Sequence, residues 1–189
     1  MTNPSDASYV FESDEVIYSS SHVVTASSED ISNLKALSEK NPRKRCRLCA
    51  HPDSLNSLHD MLIVHGKDAY VRPHKHIGKS ESLHVIEGTA LLLIFDDMGH
   101  ITQSAQLGES SSDNIFYYRM PEDVFHSLII TSEWFVFHES TTGPFDSTKT
   151  EFPTWAPGND DDEAIASYQY MLMNSIVDRD PSSPLKSMT

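Results

Sequence analysis

The middle of the chain consists of short apolar segments separated by turn residues, and this pattern constrains the fold more than any other feature. Such segments recur at roughly even spacing between residues 45 and 137, where Gly88 and the run Asp97-Met98-Gly99 mark two hairpin turns. Evenly spaced short strands favour an antiparallel sandwich or barrel over a parallel α/β fold. The predicted strands, two of which precede this region, are 15–18, 22–25, 60–64, 69–72, 82–87, 90–95, 100–102, 115–119, 126–130 and 134–139.

The N-terminal part of the chain predicts one helix. Residues 1–14 are polar, so we expect them to be mobile or to form one short edge strand around residues 9–11. Ser27 followed by acidic residues is typical of a helix start. The helix is then expected over residues 29–40, because Asn41-Pro42 ends it.

The C-terminal part predicts an irregular arm and a second helix. Residues 140–158 carry three prolines and should pack on the β domain as an arm. Apolar residues at helical spacing predict a helix over 164–177, and residues 178–189 should form a loose tail. The predicted organisation is a mobile segment over 1–14, one domain over 15–158 and an acidic extension over 159–189.

Charge and composition exclude several partners and locations. The chain carries 28 acidic and 14 basic residues, a formal net charge of −14, which would repel nucleic acids and anionic membranes. We therefore expect neither as a partner. No apolar run approaches the roughly 18 residues of a spanning helix, and the first residues lack the pattern of a signal peptide. Two cysteines are too few for a disulfide framework, which favours a reducing cytoplasm.

A spaced set of histidines and one glutamate predicts a metal site. His74 and His76 are two residues apart, so on a strand both imidazoles would face the same side. Glu81 follows after a short loop, and His126 belongs to a later strand that could pair back toward the first. A His-x-His pair alone occurs by chance, and surface histidines are common. The combination of the four residues is more specific.

Three imidazoles and a carboxylate form a donor set of intermediate softness. Such a set suits one divalent transition metal, namely Fe, Mn, Ni, Co, Cu or Zn, better than calcium or magnesium. Four protein ligands on an octahedral metal would leave two positions for water, substrate or dioxygen. Open positions distinguish a catalytic or binding metal from a structural one.

Two motifs in the sequence resemble those of the cupin superfamily. The first is His74-x-His76-x4-Glu81-x6-Gly88. The second is Pro121-x-Asp123-x2-His126. Three positions depart from the usual pattern, because Asp68 and Asp123 stand where cupins usually or often have glycine, and Ile130 stands where they usually have asparagine. None of these departures is at a ligand position.

A narrower resemblance runs from about residue 20 to residue 158 and is to the WbuC-type cupin-fold metalloproteins. It implies an all-β fold, a small cupin barrel (double-stranded β-helix or jelly roll), here with an N-terminal helix and a C-terminal helical extension. It also implies metal binding by the four residues named above. The WbuC family is associated with bacterial surface-polysaccharide genes and has no settled reaction. The segments that carry this resemblance are Asn41–Arg45, Tyr70–His76, Phe95–Gly99, Gly143–Asp146 and Phe152–Pro157.

Strand parity suggests which other residues face the metal. If His74 and His76 face inward on a strand, Arg72 and Tyr70 face inward as well. Arg72 could clamp an anionic ligand, or it could form an ion pair with a nearby acid. The candidate proton carriers are Tyr70, Glu87 and Tyr118.

Arg43, Arg45 and Arg47 form the strongest positive cluster in this acidic chain. Alternation would send all three to one strand face, where they could bind an anionic substrate such as a phosphorylated or nucleotide-linked sugar. The alternatives are a solvated edge strand or a dimer contact. Cys46 and Cys49 have the spacing of a zinc or redox pair, but no second cysteine pair exists, so we interpret them as ordinary thiols.

Two classes of function follow from the sequence. The first is an enzyme with isomerase, epimerase, lyase or dioxygenase chemistry at an open metal site, acting on a small oxygenated or anionic metabolite such as a sugar derivative. The second is a metal-dependent binding or sensor protein without catalysis. Because exposed strand edges favour pairing of barrels, we also expect a homodimer, with its contact at the N-terminal strands or at the arm around Trp155.

Overall fold

The structure is a computed structural model that describes residues 9–177 of the chain. The N-terminal elements are β1 (Tyr9–Phe11), β2 (Val16–Ser19), α1 (Ser28–Lys40), β3 (Arg45–Cys49) and β4 (Leu58–Gly66). The central strands are β5 (Lys75–His76), β6 (Glu81–Glu87), β7 (Ala90–Phe95), β8 (Ile101–Leu107), β9 (Tyr117–Met120), β10 (Phe125–Ile130) and β11 (Trp134–Thr142). A 3-10 turn (Ser147–Lys149), β12 (Thr150–Glu151) and α2 (Asp162–Val177) follow.

The strands form two facing sheets with a small ribbon between them. The large sheet has the order β1-β2-β3-β4-β11-β6-β9, and the small sheet has the order β10-β7-β8. The ribbon pairs β12 with β5, and a bridge between His74 and His126 ties it to the small sheet. All strand pairs are antiparallel except β2 with β3. This jelly-roll arrangement with flanking helices confirms the predicted small cupin-type fold.

The main core lies between the two sheets, because alternate residues of each strand point inward. Phe135 and Phe137 of β11 are buried there. Leu83 and Val85 of β6 join them from the same sheet. Across the interior they meet buried residues of the small sheet, which are Ala90, Leu92, Ala105, Leu107, Leu128 and Ile130.

Helix α1 covers the outer face of the large sheet. Ser27 caps it and forms a capping box with Asp30, which explains why the local sequence located its start within one residue. Leu34 is the buried contact residue of the helix. It packs with a second apolar cluster composed of Ile17, Cys46, Leu48, Val64 and Val136.

Helix α2 and the arm cover the outer face of the small sheet. Leu172 of α2 and Trp155 of the arm pack against residues such as Leu93 and Phe125. Strands β7 and β10 are buried on both faces for this reason, and their sequences are nearly continuous apolar runs. The described helices include none that is long and apolar enough to cross a membrane.

Two predicted strands are wrong. Residues 22–25 form an exposed connection in which Val23 is 73% exposed. Residues 69–72 precede Pro73 and pair with no strand of the described chain, although Ala69 and Val71 are buried. The alternation of a strand was present in both segments, but a pairing partner was not.

Other predictions about the termini have mixed outcomes. Residues 9–11 form strand β1, paired with β2, which confirms the edge-strand alternative. The helix predicted over 164–177 is confirmed and begins at Asp162. The predicted tail over 178–189, like residues 1–8, lies outside the described residues. The division into domains stays a prediction.

Candidate metal centre

Three histidines and one glutamate converge at the end of the interior where the ribbon meets the sheets. The ligand atoms of His74, His76 and His126 all lie within 4.8 Å of one another. Glu81 completes the group, with Oε2 3.4 Å from Nε2 of His76 and Oε1 3.2 Å from Nε2 of His126. The structure therefore brings together the four residues that the sequence singled out.

Backbone contacts position these side chains. The amide of His74 donates to the carbonyl of His126 at 3.1 Å, and the amide of His126 donates back at 2.9 Å. Gly78 has a φ of 64°, which allows the chain to turn sharply between β5 and β6, so that Glu81 returns to His76.

Asp123 explains one departure from the cupin pattern. Its φ is 64°, the left-handed region that favours glycine, and aspartate is one of the few other residues that tolerate it. The amide of Asp123 donates to the carbonyl of His76 at 3.0 Å, and its Oδ1 accepts from the amide of Gly78 at 3.2 Å. Asp123 thus ties the loop before His126 to the turn after His76.

All three imidazoles have a hydrogen-bond partner at Nδ1. Nδ1 of His74 lies 2.8 Å from the carbonyl of Arg72, and Nδ1 of His126 lies 2.9 Å from the carbonyl of Val124. Nδ1 of His76 lies 3.3 Å from Oγ1 of Thr150. A carbonyl can only accept, so His74 and His126 carry their hydrogen on Nδ1 and direct the Nε2 lone pair inward.

The pKa values of these side chains also favour metal binding. Burial, followed by the charges of His126 and His76, lowers the pKa of His74 to about 3, so its imidazole is neutral at pH 7. Burial opposes the charge of Glu81, but His126 and His76 outweigh it and hold the pKa of that carboxyl well below 4.5. Glu81 in turn raises the pKa of His126 although burial opposes this. An ionised carboxylate beside the Nε2 atoms of three imidazoles fits a divalent transition metal.

Tyr118 of β9 lies directly behind this group. Its hydroxyl donates to Oε1 of Glu81 at 3.3 Å. Burial and the charge of Glu81 raise the pKa of Tyr118 well above 10, so the phenol keeps its proton. Of the three predicted proton carriers, Tyr118 is the one that touches a candidate ligand.

A cavity of about 170 Å³ adjoins the centre. His76 forms one part of its wall, and the inner face of the large sheet forms another. The polar residues that line the sheet side include Tyr18, Arg47, His51, His59 and Glu139.

The three predicted arginines separate in the structure. Arg47 lines the cavity together with His76. Nε of Arg45 lies 2.8 Å from Oε2 of Glu15, and Nη1 of Arg43 lies 3.4 Å from the same oxygen. Only Arg47 of this cluster therefore shares a cavity with the candidate centre.

Arg72 and Tyr70 hold the arm and are not among the residues that line the cavity. Nη2 of Arg72 donates to the carbonyl of Pro153 at 3.3 Å, and its guanidinium lies 4.9 Å from the ring centre of Phe152. Tyr70 donates to the carbonyl of Pro157 at 3.1 Å. The parity argument fails here because residues 69–72 are not a strand. The predicted ligand and proton-transfer roles of these residues remain untested predictions.

Glu87, the remaining predicted proton carrier, lies at the far end of β6. Its Oε1 is 2.5 Å from Nζ of Lys35, so it ties the large sheet to helix α1. It does not line the cavity.

Sequence reasoning missed most polar residues of the cavity, among them Glu139, His51 and His59. Glu139 continues the inward alternation of Phe135 and Phe137 on β11, a signal that strand parity could have provided. Burial, followed by the charge of Glu81, raises the pKa of Glu139 to about 8. His51 and His59 stack with ring centres 4.0 Å apart, which required the register of the sheet to predict.

Cys46 and Cys49 are both free and buried, but they lie in different apolar clusters. Cys46 packs on the helix side of β3, and Cys49 packs in the main core. Burial raises the pKa of each thiol to about 11, which disfavours the thiolate that zinc or redox chemistry requires. This arrangement agrees with the interpretation as ordinary thiols.

Comparisons with known proteins add a family model and several solved structures. Residues 26–107, less than half of the chain, match a model described as a domain of unknown function (DUF6016). No curated protein matches the chain.

The similar solved structures share little sequence with the chain. A point mutant of oxalate decarboxylase from Bacillus subtilis is 22% identical, over 51% of this chain and 24% of that chain, with a TM-score of 0.42. A protein from Shewanella oneidensis is 10% identical, over 55% of this chain and 66% of that chain, with a TM-score of 0.44. Pumpkin seed globulin is 17% identical, over 59% of this chain and 29% of that chain, with a TM-score of 0.47. These similarities are too weak to assign a ligand or an activity.

Proposed function

We propose that this cupin-fold protein binds one divalent transition metal through His74, His76, Glu81 and His126 and acts there on a small oxygenated or anionic metabolite, such as a sugar derivative. The reaction would be of the isomerase, epimerase, lyase or dioxygenase type. The metal would be Fe, Mn, Ni, Co, Cu or Zn. The WbuC-type relationship and its link to surface polysaccharides are part of this proposal.

The observation that carries the proposal is the shared orientation of the imidazoles. His74 and His126 each use Nδ1 on a backbone carbonyl, and His76 has Thr150 at the same position. Such outer contacts fix the tautomer and orientation of metal-binding histidines in proteins. Structural histidines that merely filled space would not need to converge on one point with Glu81.

The chain's own residues have distinct roles in this proposal. A bound metal would polarise an oxygen of the ligand and supply open coordination positions. The hydroxyl oxygen of Tyr118 lies 3.3 Å from Oε1 of Glu81 and donates its hydrogen to it, which keeps that carboxylate oriented. Glu139 presents a carboxyl group to the cavity and is the candidate to exchange a proton with a bound ligand.

The second candidate function is a metal-dependent binding or sensor protein without catalysis. It is favoured by the polar lining of the cavity, which includes the stacked rings of His51 and His59, and by the fixed proton of Tyr118. Following metal-loaded protein with candidate hydroxy and oxo acids by NMR separates the two. Binding without turnover would favour the second function.

Elemental analysis of protein purified without added metal tests the metal site. We expect about one equivalent of a transition metal in the wild type and almost none in the double variant His74→Ala/His126→Ala. The double variant His22→Ala/His100→Ala, which changes two exposed histidines, should keep its metal. The single variant His76→Ala provides a milder test if the double variant misfolds. A full equivalent in these ligand variants would refute the site.

We also propose that the protein forms a homodimer through β1. This strand is the edge of the large sheet, and its Val10 and Phe11 are 57% and 60% exposed. An unpaired edge with exposed apolar side chains favours pairing with a second copy.

A further inference from the structure

We infer that the cavity binds a two-ended ligand, with an oxygen group at the metal centre and an anionic group at Arg47. This inference rests on the proposed function, and it specifies the class of ligand that the same site takes. The ligand would be a short carboxylate or phosphate ester that carries a second oxygen-bearing group at its other end.

The first argument is the state of the Arg47 side chain. Arg43 and Arg45 both form ion pairs with Glu15, whose carboxylate compensates their charge. Arg47 is partly buried at the cavity wall, and no carboxylate of the described residues lies within ion-pair distance of its guanidinium; the acid that feels its charge is Glu139, which lines the same cavity. A partly buried guanidinium without a directly hydrogen-bonded anion is an unfavourable arrangement that an anionic ligand would relieve.

The other charged groups at the cavity do not compete for this role. Lys79 donates to the carbonyl of Pro144, and Asp146 accepts from the amide and hydroxyl of Thr148. Glu12 lies exposed at the rim. Among the described residues that line the cavity, Arg47 is therefore the cation left to bind an anion.

The second argument is the direction in which the cavity runs. Its wall includes Tyr18 of β2, Arg47 of β3, Met61 of β4 and Glu139 of β11, which are four adjacent strands, and it also includes His76. Glu81 of the candidate centre is on β6, three strand spacings from β3 in the large sheet, which is about 14 Å between the backbones. Arg47 and the metal centre are therefore well separated along the inner face of the large sheet, and a single small anionic group would not contact both.

The third argument is size. The cavity volume of about 170 Å³ is below the roughly 300–1,000 Å³ of pockets that enclose drug-sized ligands. A nucleotide-linked sugar would not be enclosed. A short dicarboxylate or a small phosphorylated hydroxy compound matches both the volume and the two ends.

Calorimetry on the Zn(II)-loaded protein tests the inference with a series of probes. Succinate, glutarate and adipate are compared with butyrate, pentanoate and hexanoate, which have equal carbon numbers and one carboxylate. We expect at least one dicarboxylate to bind about ten-fold more tightly than its monocarboxylate partner. Arg47→Met should abolish this preference, and Arg43→Met is the matched control that should retain it.

The outcomes separate the inference from the proposed function. If wild type takes up Zn(II) but shows no preference for a dicarboxylate, or if Arg47→Met keeps the preference, the two-ended ligand is refuted while the metal site stands. If wild type takes up no metal, both fail. Metal content and circular dichroism of Arg47→Met show whether the variant is folded. Arg47→Lys keeps the charge and should therefore retain part of the preference for the dicarboxylate.

Discussion

His65 offers a test of the electrostatics of the barrel interior that does not depend on the metal. It lies on β4 opposite Arg45, is 7% exposed, and its Nδ1 has no hydrogen-bond partner among the described residues. Its ring meets Phe137 edge-on at 5.4 Å. Burial, followed by the charges of Arg45 and Arg47, lowers the pKa of His65 from 6.5 to about 3.

The direction and size of the change in stability with pH follow from the unfolded pKa of 6.5 and the folded pKa of about 3. Between pH 3 and pH 6.5 the unfolded imidazole holds a proton that the folded one does not, so acid favours unfolding. The stability linked to a neutral His65 is present above pH 6.5 and is lost as the pH falls below it. Each pH unit in this range costs about 1.4 kcal/mol. Lowering the pH from 8 to 5 should therefore cost about 2 kcal/mol through His65 alone.

Urea unfolding of the wild type and His65→Leu at both pH values, followed by tryptophan fluorescence with a chelator present, measures this difference. Other titrating groups contribute equally to both proteins, so they cancel in the comparison. The stability of His65→Leu should fall by about 2 kcal/mol less than that of the wild type between pH 8 and pH 5. The exposed His84→Leu is the matched control. Equal pH dependence in wild type and His65→Leu would refute the reasoning.

Two further predictions concern the arm and the sheet edge. Thr150→Val should weaken metal binding about ten-fold, because it removes the hydroxyl beside Nδ1 of His76, whereas Thr150→Ser should bind normally. A chelator competition assay measures this, and equal affinity in Thr150→Val would contradict the positioning role. Phe11→Asp should convert a dimer to a monomer in light scattering, because it places a charge on the edge strand β1. A dimer that survives this change would exclude β1 as the contact.

Local signals in the sequence were sufficient for much of the fold. Helix α1 was predicted to within one residue because Ser27, Asp30 and Pro42 act on their immediate neighbours. The convergence of the candidate metal ligands was predictable because three of them, His74, His76 and Glu81, fall within one short segment. The fourth, His126, required a motif resemblance, since nothing local relates it to that segment.

Other features depended on strand pairing, which the sequence does not display. Arg72 was expected to face the metal, but residues 69–72 do not pair with a strand of the described chain. Its guanidinium instead donates to carbonyl groups of the arm. The inward face of Glu139 followed from the alternation of β11, but its neighbours Leu83 and Met61 are set by the register of that strand with β6 and β4. A residue's face can be predicted from alternation only where a strand actually forms.

The sequence by itself determined that the chain would fold into short antiparallel strands, because periodicity belongs to the residues themselves. It also offered His74, His76 and Glu81 as candidate metal ligands from their chemistry, with His126 added by the motif resemblance. Only the tertiary structure decided which groups meet around that centre. Glu15 contacts Arg43 and Arg45, and the parallel pairing of β2 with β3 leaves Arg47 in the cavity. Charge neutralisation depends on distances of a few ångströms, and such distances exist only once the strands are in register.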